Sequence, residues 1–291
     1  MAVKNITILS AEPQRVWGWP GIINFILGGA GTGLYLVDFV AGIFQNGPSV
    51  LSRHAQFGLL GPILVILGFV ALTTEAGHPT RGIHLFRNLR SAWLSRETLF
   101  WSVFVPTAIL DWFIPNQFFR IVAVPSALAL MISQGLILFQ IRAVTAWNMP
   151  AIPLFFISSG FISGAGVLLL IRGLINSPLS LSTIVIGIIA LSVNLIIWFL
   201  YLNCFRCNDF LEATEKLRRP LSLIITVGLG HVLPLVLLFL VAVRDCSESD
   251  GPYLLEAVSG LAILLGVAFQ KKAIVAKASQ LKSITIEALK D

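Results

Sequence analysis

Two carboxylates bracket the stretch of this chain that is richest in chemically useful side chains. Glu75 closes one long apolar run and Glu97 opens the next. Between them stand His78, Arg81, His84, Arg87, Arg90, Trp93 and Arg96, with Gly77 and Pro79 marking a helix end. A desolvated carboxylate accepts protons when its surroundings bring it near the working pH, and histidine relays them. Residues 83–93 place Phe86, Leu89 and Trp93 on one helical face and Arg87 and Arg90 on others, as in a short helix lying in a membrane interface. Ser95 is placed to cap the following helix, with Glu97 in its first turn. Asn24, one turn into an earlier apolar run, offers a carboxamide to a ring oxygen, and the small residues 28–33 that follow leave room for a ring. Together these groups suit an amphipathic ring compound with a lipid tail, such as a quinol. Such a compound needs partners for two opposed oxygens, a route for two protons and apolar walls.

Other patterns are weaker. Gly28-Gly29-Ala30-Gly31-Thr32-Gly33 contains Gly-x-Gly but lies inside an apolar run, where a dinucleotide fingerprint has no strand before it. Gly29 and Gly33, like Gly160 and Gly164, have the spacing of close helix packing. Cys204 and Cys207 form a Cys-x-x-Cys, but Cys246 falls at the other end of the bundle, so no metal site is expected. Of four histidines only His231 lies within an apolar run, so a bis-histidine haem is not expected. Asp38, Asp111 and Glu256 also sit in or beside apolar runs and need partners there.

The elements that must position these groups follow from composition. Of 291 residues, 56% are hydrophobic and 12% charged, about half the charged share of a soluble domain. This excludes a soluble globular, disordered or disulfide-stapled chain, and nothing points to nucleic acid. Apolar runs fall at about 20–44, 55–76, 97–114, 119–141, 152–171, 180–203, 221–243 and 253–270. They predict an all-α integral membrane protein with eight transmembrane helices. Residues 1–19 include Lys4, Glu12 and Arg15 and do not read as a secretory signal. With eight spans both ends lie on one side. Sixteen of the twenty Lys and Arg fall on that side, against Arg53, Arg120, Arg172 and Arg244 on the other. The positive-inside rule makes the basic side cytoplasmic. Six of the seven tryptophans lie on the same side and predict an interfacial aromatic belt. Trp17-Gly-Trp-Pro20 and Trp147-Asn-Met-Pro150 align as the openings of a parallel repeat, giving one membrane domain in two four-helix halves, 1–150 and 151–291.

These features resemble the NrfD-like membrane anchor family, which includes the dimethyl sulfoxide reductase anchor and the polysulfide reductase membrane subunit. The markers are the eight runs, the Trp17-Gly-Trp19 opening, the glycine-rich stretch, and Gly77-His78-Pro79-Thr80-Arg81 followed by Ser91-Ala92-Trp93-Leu94-Ser95-Arg96-Glu97. The resemblance implies a haem-free, quinone-reactive anchor that exchanges electrons between menaquinone or ubiquinone and an iron–sulfur subunit wired to a molybdopterin catalytic subunit. It implies Glu97 as the pocket carboxylate and Asn24 as a polar pocket residue of the first helix; the residues themselves add Glu75 as a second proton-exchanging candidate and His78, His84, Arg81 and Trp93 as the rest of the candidate quinone pocket. Glu75 stands where the dimethyl sulfoxide reductase anchor has a histidine. The basic side being cytoplasmic departs from that reductase and suits a sulfite-oxidising complex in the inner membrane. A small-molecule transporter is the alternative, because transporters are also built from repeats with buried acids.

Overall fold

The computed structural model describes residues 3–9, 12–14, 16–46, 57–75, 89–90, 92–114, 116–177, 180–203, 207–246, 253–282 and 284–289. An apolar run in hydrocarbon satisfies its backbone by closing into a helix, and this chain is mostly helical. The helices are α1 (Trp19–Asn46), α2 (Leu60–Glu75), α3 (Trp93–Phe113), α4 (Gln117–Phe139), α5 (Ala151–Leu174) and α6 (Leu181–Asn203). Two short helices follow, α7 (Asn208–Ala213) and α8 (Glu215–Arg218). The next rod joins α9 (Pro220–Leu223), a π-helical stretch (Ile224–Val232) and α10 (Leu233–Cys246). The last is α11 (Leu254–Lys272), continued by a π turn over Ala273–Lys277.

Six rods among the described residues are long and apolar enough to cross a membrane: Trp19–Phe44, Gln117–Phe139, Ala151–Leu174, Leu181–Asn203, Pro220–Val243 and Leu254–Lys277. This is the build of a multi-pass membrane protein. Eight spans are expected from the apolar runs, and length and composition single out six. The α2 helix has only 16 residues. The α3 helix has 21 but carries Ser95, Arg96, Glu97, Thr98 and Asp111.

One strand pair joins the two ends of the chain, outside the all-α expectation. Strand β1 (Val3–Leu9) runs antiparallel to β2 (Ile284–Leu289), with Val3 opposite Leu289. Both segments are rich in β-branched residues, Ile6-Thr7-Ile8 in one and Ile284-Thr285-Ile286 in the other, a signal too short to stand out beside the long apolar runs. Beside it, Leu281 N–H donates to the Glu12 carbonyl at 2.9 Å and Lys282 N–H to the Ala143 carbonyl at 2.8 Å. The N-terminal segment, the C-terminal tail and the α4–α5 turn therefore share one end of the bundle.

That end holds two fully buried tryptophans beside the more exposed ones expected of a belt. Trp147 and Trp198 are fully buried. The Trp147 indole donates to the Ile274 carbonyl at 2.8 Å, and Trp198 stacks on Tyr201 with ring centroids 5.7 Å apart. Only Trp19 of this group is strongly exposed, beside the Lys272 ammonium at 4.5 Å. The extra helical turns at 140–150 and 207–219 cover these rings from outside, so they pack against protein.

Between the ends, α1 and α5 cross at backbone contact. A Cβ on Gly33 would overlap the Gly160 carbonyl, and one on Gly164 would overlap the backbone of Gly33 and Leu34. Similar approaches join α1 to α2 at Gly31 and Gly61, and α5 to α11 at Gly166 and Gly260. This is the packing that small residues permit between membrane helices. The buried hydroxyls along the crossing serve their own helices: Thr32 donates to the Gly28 carbonyl at 2.7 Å and Ser163 to the Ser159 carbonyl at 2.7 Å. Gly164→Leu should therefore abolish the monodisperse folded protein in detergent size-exclusion chromatography. Gly187→Ala, whose Cβ would meet only Leu238 Cδ1 at 3.6 Å, should leave the profile unchanged.

Candidate functional site

One turn of α1, from Asn24 to Gly29, is bonded by polar side chains from three other helices. From α3, Glu97 reaches it fully buried. The Asn24 carboxamide donates to Glu97 Oε1 at 3.0 Å, and Gln134 of α4 donates to the same oxygen at 3.2 Å. Gln134 Nε2 also lies 3.4 Å from the Asn24 carbonyl oxygen. On the other flank of α1, Lys271 of α11 is fully buried and donates to the Phe25 carbonyl at 2.6 Å.

Two glycines make this arrangement possible. A Cβ on Gly28 would occupy the position of the Gln134 amide nitrogen, and one on Gly29 that of the Lys271 ammonium. The small-residue face of α1 is thus filled by a carboxamide and an amine, where the sequence alone suggests room for a ring. Aromatic walls stand beside them. Phe25 stacks on Trp17 with centroids 5.2 Å apart and meets Phe156 edge-on at 5.3 Å. Lys271 Nζ lies 5.4 Å from the Phe156 ring centroid.

Two hydrogen-bonding positions in the cluster remain open: Glu97 Oε2 and Gln134 Oε1 are buried without a partner among the described residues. No salt bridge reaches Glu97 among the described residues. Buried polar atoms are nearly always bonded, so a group of open ones points to water, an ion or a ligand. An ionisable side chain inside a membrane helix marks a proton or substrate pathway by default.

At the far end of α3 a second buried carboxylate, also bonded at one oxygen only, has a cation for a partner. Asp111 Oδ2 accepts from Tyr35 at 2.8 Å and from Arg120 Nε and Nη2 at 3.0 and 2.8 Å. This buried ion pair joins α1, α3 and α4 and supplies Asp111 with the partner its position demands.

The remaining predicted residues are distributed as follows. Glu75 is exposed at the end of α2, and its carboxylate accepts from the N–H groups of Gly18 at 2.6 Å and Gly21 at 3.2 Å. It closes the N-terminus of α1, where free N–H groups and the helix dipole favour an anion. Trp93 opens α3 one turn before Glu97, half-buried, with the Arg96 guanidinium 4.1 Å above its ring. His78, Arg81 and His84 lie outside the described residues, as does most of the expected interfacial helix at 83–93.

Ser95 does not cap α3. The helix begins at Trp93, two residues earlier, with Ala92 at its N-cap and no side-chain cap. Arg96 donates back to the Leu89 and Arg90 carbonyls at 2.8 and 2.9 Å, which ties the preceding turn to α3 without capping its N–H groups. Glu97 therefore stands beyond the first turn and faces inward. Lys271 counts among the basic residues outside the last apolar run, yet α11 runs past it and buries it. Gln134 and Lys271 are the two site residues that sequence reasoning missed. The available signal was any strong hydrogen-bonding side chain set in an apolar run.

The chain matches no protein-family model, and no curated protein matches it. The geometry and chemistry of the cluster carry the functional reading. Gln134→Leu removes one of the two donors to a buried carboxyl oxygen, a loss of roughly 1–3 kcal/mol. A lower unfolding temperature in detergent should follow. Asn24→Ala should cost a similar amount, and the double variant less than the sum, because both act on Glu97 Oε1.

Proposed function

We propose that this chain is the quinone-reactive membrane anchor of an iron–sulfur molybdopterin oxidoreductase complex, passing electrons between the quinone pool and an iron–sulfur subunit. The observation that carries the reading is Glu97: buried inside the bundle, fixed at one oxygen by Asn24 and Gln134, and open at the other. In this role Glu97 takes or gives a proton at Oε2, while the two carboxamides hold its orientation. Gln134 Oε1 offers an acceptor beside it. Phe25, Trp17 and Trp93 supply apolar walls at the same end of the bundle. The quinone, menaquinone or ubiquinone, supplies the two-electron couple. Glu75, by holding the start of α1, positions Asn24 at one remove.

The architecture proposed with this reading has eight spans. A helix the length of α3 rises about 31 Å, the thickness of the hydrocarbon core. The α2 helix rises about 24 Å and spans with help from its flanking turns. Helices α1–α4 and α5–α11 form the two halves of the proposed repeat, crossing at α1 and α5. The basic end, where both chain ends meet, faces the cytoplasm of the inner membrane and docks the iron–sulfur subunit. A sulfite-oxidising complex fits that sidedness.

A second reading, a small-molecule transporter, draws on the backbone contact of the repeat-related helices α1 and α5 beside buried Glu97 and Lys271. Affinity purification of the tagged chain from native membranes separates the two. Under the anchor reading it brings down iron–sulfur and molybdopterin subunits with extractable quinone. Glu97→Gln should then lower quinone-linked turnover by about a hundredfold or more with the complex still assembled. Unchanged turnover in that variant would remove Glu97 from the reaction. A lone, quinone-free chain that takes up solute in proteoliposomes would favour the transporter.

A further inference from the structure

The other half of the bundle holds a second polar system that the Glu97 cluster does not use. His231, in the π-helical stretch, is fully buried. Its Nδ1 lies 2.6 Å from the Thr226 carbonyl oxygen, which the π turn presents five residues earlier. Its Nε2 lies 2.9 Å from Asn194 Oδ1 on α6. Asn194 Nδ2 in turn donates to Ser158 Oγ on α5 at 2.8 Å. Among the described residues no carboxylate or cation is bonded to His231, Asn194 or Ser158.

Ser158 is also the polar floor of an otherwise apolar groove. The groove, about 290 Å³, lies between α5 and α6 and is lined by Leu154, Ile157, Phe161, Ala190 and Val193. It opens toward the lipid, since Leu154 and Val193 are 55% and 44% exposed. That volume takes a ring system but not a long tail, and the tail would remain in the bilayer.

Hydrogen-bond direction suits a guest whose oxygen both accepts and donates. With Asn194 oriented as above, Ser158 receives its bond and keeps its own O–H for another partner. That O–H now points back to the Phe155 carbonyl at 3.1 Å, which α5 already satisfies with a helical N–H. It can turn into the groove at little cost. In this orientation both ring nitrogens of His231 face acceptors and both carry protons. With the carboxamide turned over, Asn194 accepts from Ser158 and donates to Nε2. His231 then needs a proton only on Nδ1, and Ser158 presents lone pairs alone. A donor in the groove thus accompanies the second proton on His231, and an acceptor accompanies its absence. A quinone oxygen accepts a hydrogen bond, and the same oxygen in the quinol donates one. A lipid acyl chain can do neither.

We propose that the groove between α5 and α6 binds the ring of a membrane-dissolved quinone or quinol. Ser158 is its hydrogen-bonding contact, and His231, acting through Asn194, sets the direction of that bond. This site is independent of Glu97 and stands or falls on its own residues.

The test is photolabelling of the full chain in lipid nanodiscs with an azido-benzoquinone carrying a decyl tail, mapped by peptide mass spectrometry. Label on the α5 and α6 peptides that excess decylubiquinone displaces, and that Ala190→Phe reduces to background, is the expected result. Ser158→Ala should leave the labelled position unchanged. The decylubiquinone needed for half displacement should rise about fivefold in that variant, the effect of one lost hydrogen bond. Equal displacement in Ser158→Ala would remove Ser158 as the contact. Label on α5 and α6 that is not displaced, or that persists in correctly folded Ala190→Phe, would reduce the groove to a place of lipid partitioning and overturn the proposal. Label confined to the α1 and α3 peptides would overturn it while leaving the Glu97 reading intact. Displaceable label on α5 and α6 alone would support the groove and count against Glu97.

Discussion

Everything in the bundle is arranged around a contact in which no side chain takes part. Gly33 and Gly164 bring the backbones of α1 and α5 together so closely that any Cβ would collide with the opposing chain. In hydrocarbon there is little hydrophobic drive between helices, so such approaches supply the packing that holds them. Because α1 lies against α5, its remaining faces are left to α2, α3, α4 and α11. Each of these brings a polar side chain to it: Glu75, Glu97, Gln134 and Lys271.

The polar groups fall into two kinds. At the Asp111 end an acid, a guanidinium and a phenol meet across α1, α3 and α4, every bond landing on Oδ2. Fourteen residues back along α3, Glu97 is likewise bonded at one oxygen and open at the other, but its partners among the described residues are two neutral carboxamides and no cation. An ion pair shared by three helices clamps them, whereas a buried carboxyl held only by neutral groups has no opposite charge beside it. That difference between the two ends of one helix is the reason to look for chemistry at Glu97 and for rigidity at Asp111. The His231–Asn194–Ser158 chain differs from both, being satisfied in either of two orientations.

A mostly helical, multi-pass membrane build was legible because long apolar runs admit one backbone solution in lipid. Asn24 and Glu97 were each singled out as candidate site residues, but the bond between them was not, since nothing in local spacing links residues so far apart. Gln134 was hidden by its company: a carboxamide amid Leu, Ile and Ser reads as one more residue of an apolar run until the helix facing it is known. Lys271 was hidden by counting, because a lysine just after an apolar run looks like a surface charge. The start of α3 was misread because Ser95 has the residue type of a cap, while the helix begins two residues earlier with no side-chain cap. Trp147 and Trp198 were misread for a related reason. Their position along the spans is that of a belt, but the short helices and turns that bury Trp147 and Trp198 carry no apolar signature of their own.

The bond from Lys271 to the Phe25 carbonyl also bears on how the protein is assembled. Lipid tails offer an ammonium no acceptor, so α11 is poorly suited to resting alone in a bilayer once its buried end is included. The acceptor it needs belongs to α1, made well before it, and the glycine that leaves room for the amine lies four residues further along that same helix. The seat of α11 is thus supplied by protein already in place more than by lipid, and a bundle with α1 displaced would leave that amine without its acceptor.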